Sequence, residues 1–229
     1  MKIDNNLVKD IVDFLSDIEK EYQENQGLIL TEDDLKCLLF SKLYGHFPKG
    51  KTIDKGISAS FIHSEVKFYD ENGQLTLRPD LCIIDTIHLS IFHSVEFKVQ
   101  RSGNNHEYKS YPKKCFEIGG NTIIIELKFC RDKNGISDAD IISYNEDISK
   151  IKLLQEIVNR RSTGIDKMYG IFAVFNKTNE GYENFKPILE KNKNNDKISI
   201  FYGSGLADFN VEHRFPDNSG YLTERNAWC

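Results

Sequence analysis

Apolar residues recur along this chain with two different periods. Leu7, Val8, Ile11, Val12, Leu15 and Ile18 fall at helical spacing, which predicts an amphipathic helix over residues 5–22. A second helix is predicted from Thr31, a candidate N-cap with Asp34 three residues on, over residues 31–44. Leu35, Leu38, Leu39 and Leu43 supply its buried face, and Gly45 and Pro48 end it. The period then changes. Residues 57–69 and 75–85 alternate around Asn72-Gly73, a strong hairpin signal. A two-residue turn there pairs Phe68 with Leu77, Val66 with Pro79, Ser64 with Leu81 and Ile62 with Ile83 on a nearly apolar face. The other face pairs Lys67 with Arg78, Glu65 with Asp80 and His63 with Cys82, and a one-residue slip would mix the two.

Residues 88–100 alternate as another strand, and 101–120 read as a polar excursion. Residues 121–130 carry three consecutive isoleucines, as expected of a strand covered on both faces. Asp132 to Ser143 is expected to be a loop. A helix over 145–161 follows, with Ile148, Ile151, Leu154, Ile157 and Val158 inward. A buried strand over 168–175, a short helix near 181–192 and a strand near 197–202 complete the order. The prediction is a single domain: an N-terminal helical segment 1–30, a core 31–175 with an insertion 86–120, and a C-terminal elaboration 176–229.

Charged residues inside this pattern need an explanation. Glu126 and Lys128 are two apart on a strand otherwise built for burial, so both emerge on one face. Asp80 follows Pro79 at the head of the apolar run Leu81-Cys82-Ile83-Ile84. Proline lacks a ladder donor and suits an edge or a bulge, and bulges are common beside active sites. Glu65 stands opposite Asp80 in the predicted register, where like charges about 5 Å apart repel. A divalent cation or Lys128 would reverse that repulsion, and neutralisation by Lys67 and Arg78 is the plainer alternative. Glu32 opens the second helix, a place the helix dipole alone favours for an acid. Glu96-Phe97-Lys98 repeats the Glu-x-Lys spacing, but its strand alternates like a half-exposed one, so Glu126 and Lys128 are preferred.

Composition narrows the chemistry. The chain has 229 residues and a net charge of −5, which argues against coating nucleic acid through bulk charge. A local exception runs from Lys98 to Lys114, where Lys98, Arg101, Lys109, Lys113 and Lys114 stand against Glu107, a net of +4. That stretch is either a nucleic-acid contact or a solvated insertion. No run is long enough to span a membrane and no leader segment is evident, so a cytoplasmic protein is the default expectation. The five cysteines have no CxxC spacing, which disfavours zinc and a disulfide framework. Cys37, Cys82 and Cys130 read as small buried hydrophobes. There is no phosphate-binding GxxxxGK[ST] loop and no nucleophile elbow.

At Arg78-Pro79-Asp80 and Glu126-Leu127-Lys128 the chain resembles the PD-(D/E)XK nuclease superfamily. The resemblance covers about residues 31–175 and includes Asp147-Ile148-Ser149-Lys150 on the helix after Lys128. It implies an α/β fold of the restriction-endonuclease-like kind: an αβββαβ core, a mixed central sheet flanked by helices, here with an inserted strand and loop. It implies a nuclease, foremost a DNA endonuclease in restriction or defence, with repair or recombination next. Asp80, Glu126 and the carbonyl of Leu127 would bind Mg2+, for which Mn2+ would substitute. Lys128 would position or activate the attacking water, with Glu32 as a further acid of the site; Glu65 joins the catalytic candidates through the predicted register, opposite Asp80. DNA is the expected partner, contacted through Arg101, Lys109, Lys113 and Lys114. A homodimer stays open, since duplex cutting often needs two active sites. Two other readings remain: a non-catalytic nucleic-acid- or protein-binding module that retains the fold, and a structural domain that docks through 98–114. The 46 positions between Asp80 and Glu126 exceed the usual spacing, and the insertion accounts for the excess.

Overall fold

The computed structural model describes residues 2–47, 49–52, 58–69, 75–92, 97–100, 106–109 and 115–207. In chain order these form α1 (Asn5–Glu24), α2 (Glu32–His46), β1 (Gly50–Lys51), β2 (Ser58–Ala59), β3 (Ile62–Ser64), β4 (Phe68–Tyr69), β5 (Leu75–Leu77) and β6 (Leu81–Ile84). A 3-10 turn, Thr86–His88, leads to β7 (Leu89–Phe92), β8 (Phe97–Gln100), β9 (His106–Lys109) and β10 (Cys115–Ile118). The described residues continue with β11 (Thr122–Cys130), α3 (Asp138–Arg161), β12 (Met168–Asn176), α4 (Tyr182–Asn192) and β13 (Ile198–Ser204).

β11 carries three consecutive isoleucines and is buried along most of its length because it is the middle strand of a five-stranded sheet, ordered β13-β12-β11-β6-β3. It runs parallel to β12 and antiparallel to β6; β12 and β13 are parallel, β3 and β6 antiparallel. Alternation sends Ile123, Ile125 and Leu127 to one side, where they pack with Leu7, Ile11 and Leu15 of α1 and Leu35, Leu39 and Leu43 of α2. Ile124, Phe172 and Val174 face the other side, against Ile148, Ile151 and Leu154 of α3 and Phe185 of α4. The result is a mixed sheet between two helical layers, each with its own apolar core.

Local chemistry sets the helix starts. Thr31 and Asp34 form the expected reciprocal capping box on α2. A second such box, Ser137 with Asp140, starts α3 at Asp138, so the predicted loop over 132–143 is shorter than expected and the helix longer. Cys82 and Cys130 are buried as expected, but Cys37 lies exposed on α2, off the Leu35/Leu39/Leu43 stripe. No helix among the described residues is long and apolar enough to cross a membrane.

The hairpin register is the predicted one as far as Phe68, with Ile62 opposite Ile83, His63 opposite Cys82, Ser64 opposite Leu81 and Phe68 opposite Leu77, but Tyr69 pairs with Leu75 where the prediction has Thr76. The turn Asn72-Gly73 lies outside the described residues. The strands themselves are broken rather than continuous: β4 and β5 form a separate two-stranded piece, with a register shift between Phe68 and Tyr69. The single apolar face does not run through either. Ile62, Leu81 and Ile83 join the α1/α2 core, whereas Val66, Leu77 and partly buried Phe68 join the α3 core. Between them Glu65 takes φ 58°, a left-handed conformation, at the point where the buried face changes.

The insertion also differs from expectation. Residues 88–100 are not one strand beside the core, and 101–120 are not wholly an excursion. β7 pairs with β10 and β8 with β9, both antiparallel, as two-stranded pieces separate from the main sheet. A two-stranded ribbon has no two-sided core to demand apolar residues, so the polar sequence of its return strand hid it.

Candidate active site

β6 meets only the first four residues of β11, Thr122 to Ile125. Beyond Ile125 that edge of β11 has no strand neighbour among the described residues, and carboxylates take the place of one. Asp80 Oδ2, just before β6, accepts from the Leu127 N–H at 2.8 Å. Glu32 Oε2, in the first turn of α2, accepts from the Phe129 N–H at 3.3 Å. Two acids far apart in sequence are thus brought to one strand end by backbone donors that would otherwise be unpaired.

On the α3 side of the same strand, Lys128 Nζ lies 2.7 Å from Glu126 Oε1 and 3.0 Å from Asp147 Oδ2. Lys150 Nζ holds the other Asp147 oxygen at 2.8 Å. Glu126 is 7 % exposed, and its Oε2 is buried with no hydrogen-bond partner. A buried carboxylate oxygen left without a partner costs free energy, about 1–3 kcal/mol for a typical buried polar group and more for a charged one. Toward α2, Lys36 Nζ lies 2.7 Å from Asp33, 3.0 Å from Glu65 and 3.8 Å from Asp80. Arg78 Nε holds the second Glu65 oxygen at 2.9 Å, and the Glu65 N–H donates to the Asp80 carbonyl at 3.2 Å.

Burial dominates the electrostatics. It pushes the Glu126 carboxyl up to about 7 against the pull of Lys128, with nearby Asp80 and Asp147 adding to the rise. Burial likewise raises Asp80 and Glu32, only partly offset by the Leu127 and Phe129 N–H donors and by Lys128. Asp147 goes the other way: burial would raise it, but Lys150 and Lys128 together hold it below the usual range. Lys128 is held above its ordinary value, since Glu126 and Asp147 outweigh its burial.

The structure therefore gathers Asp80, Glu126, Lys128 and Glu32 at one strand end, with Glu65 beside them. Between Glu65 and Asp80 the direct ion-pair partner is Lys36, with Arg78 on the far side of Glu65, while Lys128 acts on Asp80 only through its field. Sequence reasoning does not single out Lys36, and it includes Asp147 only in the run that resembles the nuclease superfamily, with no role assigned. Lys36 lies four residues after Glu32 on α2, one helical turn on, and Asp147 interrupts the apolar stripe of Tyr144, Ile148 and Ile151. Of the expected nucleic-acid contacts, Lys109 lies on β9, and Arg101, Lys113 and Lys114 fall outside the described residues. Glu96 also falls outside them, while Lys98 lies on β8, away from the main sheet.

No group of three or more His, Cys, Asp or Glu side chains among the described residues is arranged to hold a metal by itself. Mg2+ does not require one, since it keeps several waters and takes one or two carboxylates. The unpartnered Glu126 oxygen and the electrostatically coupled Asp80 suit such a hard cation. No family model, no curated protein and no solved structure matches the chain.

Proposed function

We propose that this protein is a divalent-cation-dependent nuclease with a restriction-endonuclease-like core, acting on DNA. The observation that carries the reading is the buried, unpartnered Oε2 of Glu126, in a cluster with Asp80 and Lys128 at the open end of the central strand. A buried carboxylate oxygen without a partner calls for an explanation, and a bound cation supplies one. Asp80, Glu126 and the carbonyl of Leu127 are the groups that would hold the cation. When bound, Mg2+, or Mn2+ in its place, would lower the pKa of a coordinated water and offset charge on the phosphate. Lys128 adds a fixed positive charge where negative charge develops in the transition state. Glu32 holds the end of β11 through Phe129 and adds negative potential to the site. Glu65 holds Lys36 and Arg78 at the margin, two cations able to face a phosphate backbone. The ribbon of β7 to β10, whose sequence is locally basic, is the proposed DNA contact.

A second reading has its own support. Lys36, Lys128 and Lys150 are all paired with carboxylates, as in a non-catalytic module that keeps the fold. Cleavage of plasmid, single-stranded DNA and RNA with Mg2+ or Mn2+, and with EDTA, separates the two. The nuclease reading expects cation-dependent cleavage lost in Glu126→Gln and retained in Glu96→Gln. It also expects a fall of about a hundredfold or more in Lys128→Ala, on the scale of a lost transition-state donor. DNA binding with no cleavage under any cation would establish the second reading instead.

A further inference from the structure

Lys128 is shared between two carboxylates that belong to different elements. Glu126 is its neighbour on β11, and Asp147 reaches it from α3. Asp147 is itself fixed. It sits in the buried stripe of α3 with Tyr144, Ile148 and Ile151, and its second oxygen is held by Lys150. The four side chains form a row, Lys150–Asp147–Lys128–Glu126, ending on the unpartnered Oε2 of Glu126. Were Glu126 the only partner of Lys128, a cation at Glu126 would have to compete with the ammonium for the same carboxylate. A second, independently anchored carboxylate gives the ammonium a partner to keep when Glu126 is taken by a cation.

We propose that Asp147 is the positioning residue for Lys128: it keeps the ammonium in the site when Glu126 turns to a divalent cation. This rests on the nuclease reading of the site. Asp147 touches neither the proposed cation nor the phosphate, and acts through Lys128. Glu126 and Lys128 are thereby able to do separate work although they are hydrogen-bonded to each other.

The test is calorimetric titration of Mn2+ into the parent protein, Asp147→Asn, Lys128→Ala and the double variant, with thermal unfolding of each. Asp147→Asn should weaken Mn2+ binding about tenfold, the lower end of the effect of removing a residue that orients a ligand. In the Lys128→Ala background the same substitution should change affinity less than about threefold, because the residue it acts through is gone. A simple loss of nearby negative charge would weaken binding equally in both backgrounds, and that result overturns the proposal. Asp147→Glu keeps the charge but moves it by one methylene. It should weaken Mn2+ binding in the parent background and not beside Lys128→Ala, which preserves the test if Asp147→Asn fails to fold. A parent protein that binds no Mn2+ overturns the nuclease reading and this inference with it. Equal factors in the two backgrounds overturn the inference alone.

Discussion

Glu126 should make the stability of this protein fall as pH rises through the weakly acid range. Its carboxyl titrates near 7 in the folded chain because it is buried, against an ordinary 4.5 when unfolded. Below 4.5 both states carry the proton and the residue is neutral to stability. Between 4.5 and about 7 the unfolded chain has released the proton while the folded one retains it, so each pH unit costs about 1.4 kcal/mol. Above 7 the loss is complete, at about 3 kcal/mol. Asp80 and Glu32 are raised by burial as well and act with the same sign, whereas Asp147 is lowered and loses its contribution only in stronger acid. Glu126→Gln removes the titrating group at nearly constant shape. Denaturant unfolding of parent and variant at about pH 4 and about pH 8 isolates it: the variant should gain about 3 kcal/mol on the parent between the two. Added Mg2+ at the higher pH should narrow the gap, because a cation at the ionised carboxylate offsets the cost of its burial. A parent-to-variant difference that stays constant across the range would refute the assignment of that cost to Glu126.

Further outcomes test the scaffold around the site. Thr31→Ala removes the cap of α2 and should cost about 1 kcal/mol in denaturant unfolding, reduced by Thr31→Ser. Asp80→Ala should destabilise more than Asp80→Asn, by about 1–3 kcal/mol, because an asparagine oxygen still accepts from the Leu127 N–H. Both should abolish cleavage, so stability and activity would separate in Asp80→Asn. Gly135→Ala should destabilise by at least about 1 kcal/mol in thermal unfolding. Its φ is +71°, and a Cβ there would lie 1.7 Å from the Glu180 carbonyl oxygen.

The layered core was legible because burial leaves a period. The isoleucines of β11, the leucines of α2 and the strand of β12 all announced both their type and their inward faces. The register of the hairpin was legible too, since a one-residue slip would have mixed apolar and polar faces. What periodicity could not show is where a face changes. The change of face coincides with one backbone torsion at Glu65, and glutamate is not a residue that advertises a left-handed conformation. The second strand of the ribbon was hidden because it belongs to no two-sided core. In the site, Asp80, Glu126 and Lys128 stood out as charges in apolar strands. Lys36 did not, and Asp147 entered only through the run that resembles the nuclease superfamily, because charges on helices are ordinary until the packing direction is known.

β11 is bonded along all nine residues to β12, but only along its first four to β6. Past that point, two of its N–H groups depend on side chains for acceptors. A backbone acceptor in a sheet cannot leave without unzipping its neighbour, whereas a carboxylate leaves by rotating about its own bonds. The Leu127 and Phe129 amides therefore serve as built-in reporters. Their NMR shifts and hydrogen-exchange rates register the charge and orientation of Asp80 and Glu32 one residue at a time. Half of the central strand's edge is in this sense adjustable, and the adjustable half is the one that carries Glu126 and Lys128.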